Sequence, residues 1–61
     1  MKTGDVVWAN FDGSHNVLAF FVKEGGDKDT IQAPDGSHET LAYREPEDRD
    51  EHGAGRTWWK L

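Results

Sequence analysis

The sequence predicts an all-β domain, built either as a small five-stranded barrel or as a strongly bent antiparallel sheet. Five short segments rich in β-branched and aromatic residues follow one another at roughly even spacing, and glycine-containing turn sequences separate them. None of them shows a convincing 3.6-residue helical period. A nine-residue stretch also occurs twice, since residues 12–20 return 23 positions later as residues 35–43 with six identical positions. Each copy is typical of a turn that leads into a strand.

The segments define five expected strands and the turns between them. The expected strands are residues 6–9, 17–23, 30–33, 39–43 and 56–61. Asp-Gly, Gly-Gly and Pro-Asp-Gly sequences lie between them and supply residues that tolerate the backbone conformations of tight turns. We expect the last strand to close the barrel against the first, with the two repeated turn-strand units at related places.

The second strand is apolar on both faces. In an extended chain Leu18 and Phe20 lie on one side, and Ala19 and Phe21 lie on the other, so the alternation leaves neither face polar. Three interpretations remain open at this point: a central strand of a barrel, an edge strand covered by a second copy of the chain, or a partner-binding face.

Length and composition restrict the protein to a few classes. The 61 residues form one small β-domain, residues 1–61, without cysteine, so neither disulfides nor thiolate ligands are available. Absence of cysteine fits a reducing compartment, and the expected location is the cytoplasm. No signal-peptide pattern and no run of about 20 apolar residues occurs, so we expect no membrane contact. The net charge of −5 disfavours nucleic acid and favours basic partners.

The stretch from residue 44 to residue 55 interrupts the strand pattern and is predicted to be an acidic loop. Within it, residues 45–51 carry five acidic side chains against one arginine. Such a charge run is typical of a solvated loop that keeps a small protein soluble. The functional alternative is an electrostatic surface that steers a basic protein toward the domain.

The aromatic side chains are the strongest functional indication in the sequence. Adjacent residues in a strand face opposite sides, so one of Trp58 and Trp59 belongs to the core and the other is expected outside. Together with Trp8 and Phe21, the outer one would form an exposed patch, and such patches commonly mark interfaces. The alternative is that all the aromatic rings are core. The candidate partner-binding residues are Trp8, Phe21, Trp58, Trp59, Glu45, Glu47 and Asp48.

The sequence contains residues of metal-ligand type and Ser-His pairs, and simpler interpretations account for both. The residues of metal-ligand type are Asp12, His15, Asp35, His38, Asp50 and His52. Asp-Gly-Ser is a turn signature in its own right, with the aspartate capping backbone N–H groups, and the spacing matches no metal motif. Ser14 and His15 would face opposite sides of an extended chain, which disfavours a triad. We therefore expect no catalytic residue, no metal site and no cofactor.

Three segments together resemble small proteins of actinobacteria and their bacteriophages. These are the opening Gly-Asp-Val-Val-Trp of residues 4–8, the Ala-Phe-Phe-Val of residues 19–22 and the closing Gly-Arg-Thr-Trp-Trp of residues 55–59. The resemblance implies an SH3-like barrel and a bacteriophage origin, and it implies no catalytic residue. The proteins it resembles end on a Thr-Trp-x-Trp-type strand, whereas this chain places its two closing tryptophans side by side.

The function expected from these observations is that of a non-enzymatic protein-interaction module, which binds a protein through an aromatic patch next to an acidic loop. Trp-Trp-Lys also resembles a strand of signalling SH3 domains, whose grooves bind proline-rich segments flanked by Arg or Lys. The alternative function is a structural or assembly protein that forms a homo-oligomer through its apolar second strand.

Overall fold

The fold is a closed, five-stranded, all-β barrel, in agreement with the predicted class and consistent with an SH3-like barrel. The computed structural model describes residues 1–44 and 55–61, and no helix occurs in those residues. The strands are β1 (Val6–Asn10), β2 (Asn16–Lys23), β3 (Asp29–Gln32), β4 (His38–Tyr43) and β5 (Thr57–Lys60). Each lies within one or two residues of the expected position.

The strands follow one another around the barrel in chain order, and β5 closes it against β1 as predicted. Every neighbouring pair is antiparallel except β4 and β5, which are parallel and place Tyr43 opposite Trp58. Parallel neighbours need a connection of a dozen or more residues, because the chain must return to the same end of the sheet. Residues 44–56 supply that length between β4 and β5.

The core is a single cluster of side chains that face the inside of the barrel. Its members are Val7, Ala9, Ala19, Phe21, Ile31, Leu41 and Trp58, with Phe11 and Tyr43 packed against them. Trp58 joins the aromatic members, because its ring centroid lies 5.5 Å from that of Phe21 and 4.8 Å from that of Tyr43. Ala9 stands directly opposite Trp58, and a small residue at this position leaves room for the large ring.

The two copies of the repeat form similar turns at the same end of the barrel, but their strands face opposite ways. Pairing starts at Asn16 after the first turn and at His38 after the second, which is one motif position earlier. A shift of one residue turns every following side chain to the other face of the sheet. Leu41 is consequently buried in the core, whereas the matching Leu18 is exposed.

The opposite end of the barrel is formed by the chain between β2 and β3. The β2–β3 register shifts between Phe21 and Lys23, a bulge that bends the strand where it leaves the sheet. The polar turn that follows leads to Asp29, the first residue of β3. β4 and β5 also end here, and β1 and β3 begin here, because both are antiparallel to their neighbours.

Candidate interaction surfaces

The outer side of β1 and β2 carries a group of apolar side chains in adjacent positions. Val6 stands directly opposite Phe20, and Trp8 stands directly opposite Leu18. Leu18 is 49% exposed, Phe20 42% and Val6 41%, while Trp8 is half-buried. Side chains in such opposed pairs are close enough to form one continuous surface. We call these four residues the outer apolar face.

The size of the barrel explains why these residues lie outside. Val7, Ala9 and Ala19, which alternate with these residues along β1 and β2, are fully buried and help to fill the interior. Side chains of a strand alternate between the two faces of the sheet, so a barrel of five strands can bury only one set. β2 pairs with β1 and with β3, so it is a central strand of the barrel and not an edge strand covered by a second copy.

The exposed aromatic patch expected from the sequence is largely absent. Phe21 was predicted to face outward, and this is wrong: it lies in the core and is only 6% exposed. Trp58 and Trp59 face opposite ways as predicted, yet both are buried, at 4% and 7% exposure, so the prediction that one of them is exposed is also wrong. Trp8 is the one predicted aromatic residue that contributes to the outer surface.

Sequence reasoning missed Val6, Leu18 and Phe20 as surface residues. The available signal was the two-sided apolarity of the second strand, but the sequence alone does not say which side of the strand faces the core. The remaining predicted contacts, Glu45, Glu47 and Asp48, lie outside the described residues, as does most of the predicted acidic loop at residues 44–55.

A cleft of about 290 Å³ opens at the barrel end formed by the β2–β3 turn and the last residues of β4 and β5. Its walls contain apolar, aromatic, acidic and basic side chains: Met1, Phe21, Glu24, Asp29, Tyr43, Trp58 and Lys60. Asp29 is held at both oxygens, since Trp58 Nε1 donates to Oδ2 at 2.9 Å and the Gly25 N–H donates to Oδ1 at 3.1 Å. We call this the barrel-end cleft.

A second depression, of about 370 Å³, lies against the outer side of β3 and β4. It is lined by Thr30, His38, Glu39, Thr40 and Arg56. Arg56 and Glu39 form an ion pair with each other, so the two opposite charges of this depression neutralise one another. In the barrel-end cleft, by contrast, neither Glu24 nor Asp29 is held in an ion pair with another described residue.

The repeated Asp-Gly-Ser turns are capped by their aspartates, as the sequence indicates. Asp12 Oδ1 accepts the backbone N–H groups of Ser14 and His15 at 2.7 and 2.9 Å, and Asp35 Oδ1 accepts that of Ser37 at 2.9 Å. The glycine that follows each aspartate has a positive φ, 86° at Gly13 and 95° in the second copy. A residue other than glycine would be strained in that conformation.

These hydrogen bonds stabilise the ionised form of both aspartates. The His15 ring nitrogen Nδ1 lies 3.0 Å from Asp12 Oδ2, and the pKa of Asp12 is well below its ordinary value because of this contact first and the backbone N–H bonds second. Hydrogen bonds from the Ser37 N–H and hydroxyl lower the pKa of Asp35. In residues 1–44 and 55–61 no three His, Cys, Asp or Glu side chains are grouped for a metal ion. Asp50 and His52 lie outside this part of the chain.

Comparisons of the chain with protein-family models, with curated proteins and with solved structures found no match. In the described part of the chain there is no helix of the length and apolarity that a membrane crossing needs.

Proposed function

We propose that this protein is a non-enzymatic interaction module that binds a protein partner through its outer apolar face. The observation that carries the proposal is the pairing of Val6 with Phe20 and of Trp8 with Leu18 on the outside of a barrel whose interior is already filled. Three of these four side chains are more than two-fifths exposed. Adjacent exposed apolar side chains on a small protein are typical of an interface.

A partner would contact side chains rather than extend the sheet. Each of the five strands has a hydrogen-bonded neighbour on both sides, so among the described residues no strand offers a free edge to an added strand. Binding by strand addition needs such an edge. The energy of association therefore has to come from burial of apolar side chains, and truncation of those side chains is a direct test.

The charge of the domain specifies the chemistry of the partner. A net charge of −5 on 61 residues attracts a partner whose apolar contact residues are flanked by Lys or Arg. Residues 45–51, with Glu45, Glu47 and Asp48, account for much of that charge and remain proposed contacts. The absence of cysteine supports action in the cytoplasm, or in the host cytoplasm for a bacteriophage protein.

A second candidate function is self-assembly through the outer side of β2. The exposure of Leu18 and Phe20, both on this strand, favours it. Two copies docked through this face would share the same sign of charge, so their association would strengthen as salt is added. Binding to a basic partner would weaken under the same conditions, and this difference separates the two candidates.

The proposal is tested with three forms of the protein used to capture proteins from a lysate. The forms are the wild type, the double variant Leu18→Ser/Phe20→Ser, and the control Thr30→Ser/Thr40→Ser, which changes the outer side of β3 and β4. We expect one protein to bind the wild type and the control, and to bind the outer-face variant at least roughly thirtyfold more weakly, as for other central interface side chains. Added salt should release it.

Sedimentation equilibrium of the three forms completes the experiment. A monomer at all concentrations agrees with the module, whereas association that is lost in the outer-face variant would replace it by the self-assembly function. Capture that is equal for all three forms, or the absence of any captured protein and of association, would contradict both functions. Circular dichroism must show that the variants remain folded.

A further inference from the structure

The barrel-end cleft combines two kinds of side chain that recognise cations. Glu24 and Asp29 supply carboxylates, and Tyr43, Trp58 and Phe21 supply aromatic rings around the same space of about 290 Å³. We propose that this cleft binds the guanidinium group of an arginine side chain. No residue of the outer apolar face lines it, so the proposal stands independently of the function proposed above.

Asp29 is positioned to accept further hydrogen bonds. It is half-buried, and its two oxygens are held by Trp58 Nε1 at 2.9 Å and by the Gly25 N–H at 3.1 Å. Both donors are neutral, so the negative charge remains. Each carboxylate oxygen has a second acceptor position, and a guanidinium group can donate to a carboxylate through two parallel N–H groups.

The charges that line the cleft are not paired with each other. In the described residues neither Glu24 nor Asp29 forms an ion pair, although the ammonium group of Lys60 belongs to the same lining. The lining contains two carboxylate side chains and one lysine side chain, together with Met1. An incoming cation would be attracted by the unpaired carboxylates and repelled by Lys60, so the two kinds of residue should affect affinity in opposite directions.

The aromatic wall favours guanidinium over a hydrated ammonium group. The Trp58 ring packs at 4.8 Å from Tyr43 and 5.5 Å from Phe21, measured between centroids, which holds the wall in place. A planar guanidinium group is weakly hydrated and stacks on aromatic rings while donating to a carboxylate at its edge. Phe21 and Trp58 are buried in the core, so the half-buried Tyr43 offers the most accessible ring of the three.

The direct test is a titration of isotope-labelled protein with N-acetyl-L-arginine amide, followed by NMR. The indole N–H of Trp58 donates to Asp29, so its resonance reports on the cleft. The indole of Trp8, on the outer apolar face, serves as the internal reference. We expect a saturable shift of the Trp58 resonance with a Kd in the millimolar range, as for a ligand of this size. The neutral isostere N-acetyl-L-citrulline amide should cause no such shift.

Three variants separate specific binding from general attraction to an acidic surface. Asp29→Asn removes the charge but keeps an oxygen that can accept from Trp58, and it should weaken binding roughly fivefold to tenfold. Asp27→Asn removes an exposed carboxylate of the same turn that does not line the cleft, and it should leave the affinity unchanged. Lys60→Gln should tighten binding, because it removes the competing ammonium group.

The result that would overturn the proposal is the absence of a saturable Trp58 shift, or an equal shift with the citrulline derivative. Equal weakening by Asp27→Asn and Asp29→Asn would overturn it as well, since it would show attraction by net charge alone. Lys60 is an exposed residue at the end of β5, so its variant keeps the test decisive even where Asp29→Asn lowers stability. Whether the cleft binds arginine or not, the result expected from the capture experiment on the outer apolar face stays the same.

Discussion

Asp12 and Asp35 illustrate what a short motif determines at the scale of single residues. Both copies of Asp-Gly-Ser form a turn in which the aspartate accepts the N–H of the serine two positions on. The local sequence is sufficient for this, because the acceptor, the donor and the flexible glycine lie within three residues. The chemistry that the same residues suggested, metal ligation, would have needed several such groups to converge in space.

The lowered pKa of Asp12 predicts how this turn responds to acid. A carboxyl group whose pKa is lower in the folded than in the unfolded chain stabilises the fold above the unfolded value, ordinarily near 3.8, and loses this contribution as the pH falls toward the folded value. We expect the melting temperature to fall between about pH 5 and pH 2, and to fall less in Asp12→Asn.

Thermal unfolding followed by circular dichroism across that pH range measures the effect. Asp27→Asn, which removes one exposed carboxylate from the other end of the barrel, is the matched control for net charge. An Asp12→Asn variant whose melting temperature follows the same pH profile as the wild type would contradict the role assigned to the hydrogen bonds of His15 and Ser14.

For the strands, position along the chain was predictable, but which side of each strand faces the core was not. Each predicted strand coincides with an observed one to within two residues, because β-branched and aromatic runs bounded by turn residues are a local signal. The side of β2 that enters the core depends on where pairing begins after the turn, and this differs by one position between the repeats. That choice decided the candidate site, since it placed Phe21 inside and Phe20 outside.

The repeat provides a matched pair of variants that tests which side of each strand faces the core. Leu18 and Leu41 occupy the same motif position, but Leu18 is 49% exposed and Leu41 is 1% exposed. We expect Leu41→Ala to lower the free energy of unfolding by about 2–5 kcal/mol, through lost burial and an unfilled cavity. Leu18→Ala should cost less than about 1 kcal/mol, as surface substitutions do. Urea denaturation measures both values, and equal losses would refute the opposite facing of the two strands.

Two adjacent glycines between β2 and β3 form a second matched pair. A Cβ on Gly25 would collide with the backbone carbonyl oxygen of Lys28, whereas a Cβ on Gly26 would meet open space. We expect Gly25→Ala to lower the free energy of unfolding by about 1–3 kcal/mol, since backbone must move to relieve the collision. Gly26→Ala should be close to neutral. Chemical denaturation of the two variants is the measurement, and a larger loss for Gly26→Ala would contradict this description of the turn.

At the scale of the whole molecule, closure of the barrel by β5 joins both ends of the described chain into one core. β5 pairs with β1 and with β4, and it contributes Trp58 to the shared aromatic cluster. A domain of this size has a free energy of unfolding of only about 3–9 kcal/mol. Within residues 1–44 and 55–61 the strands share one core cluster, so loss of one pairing exposes residues that support the other strands.

This arrangement predicts a single cooperative unfolding transition. Far-UV circular dichroism reports the strands, and tryptophan fluorescence reports the three tryptophans, of which Trp58 and Trp59 lie on β5, so the two signals should give the same denaturation midpoint. Leu61→Ala, a change at a 70% exposed position beyond β5, is the control and should leave the midpoint in place. A fluorescence change that precedes the loss of strand signal would show that β5 detaches before the rest of the barrel unfolds.

Sequence patterns were enough to predict the all-β class, the five strands, the capped turns and the closure of the last strand against the first, because each follows from patterns within a few residues or from the need to pair sheet edges. Only the tertiary structure decided which face of each strand is buried, since a shift of the pairing register by one residue exchanges the two faces. It also decided that β4 and β5 run parallel. The outer apolar face and the barrel-end cleft both depend on these long-range choices, which no local pattern encodes.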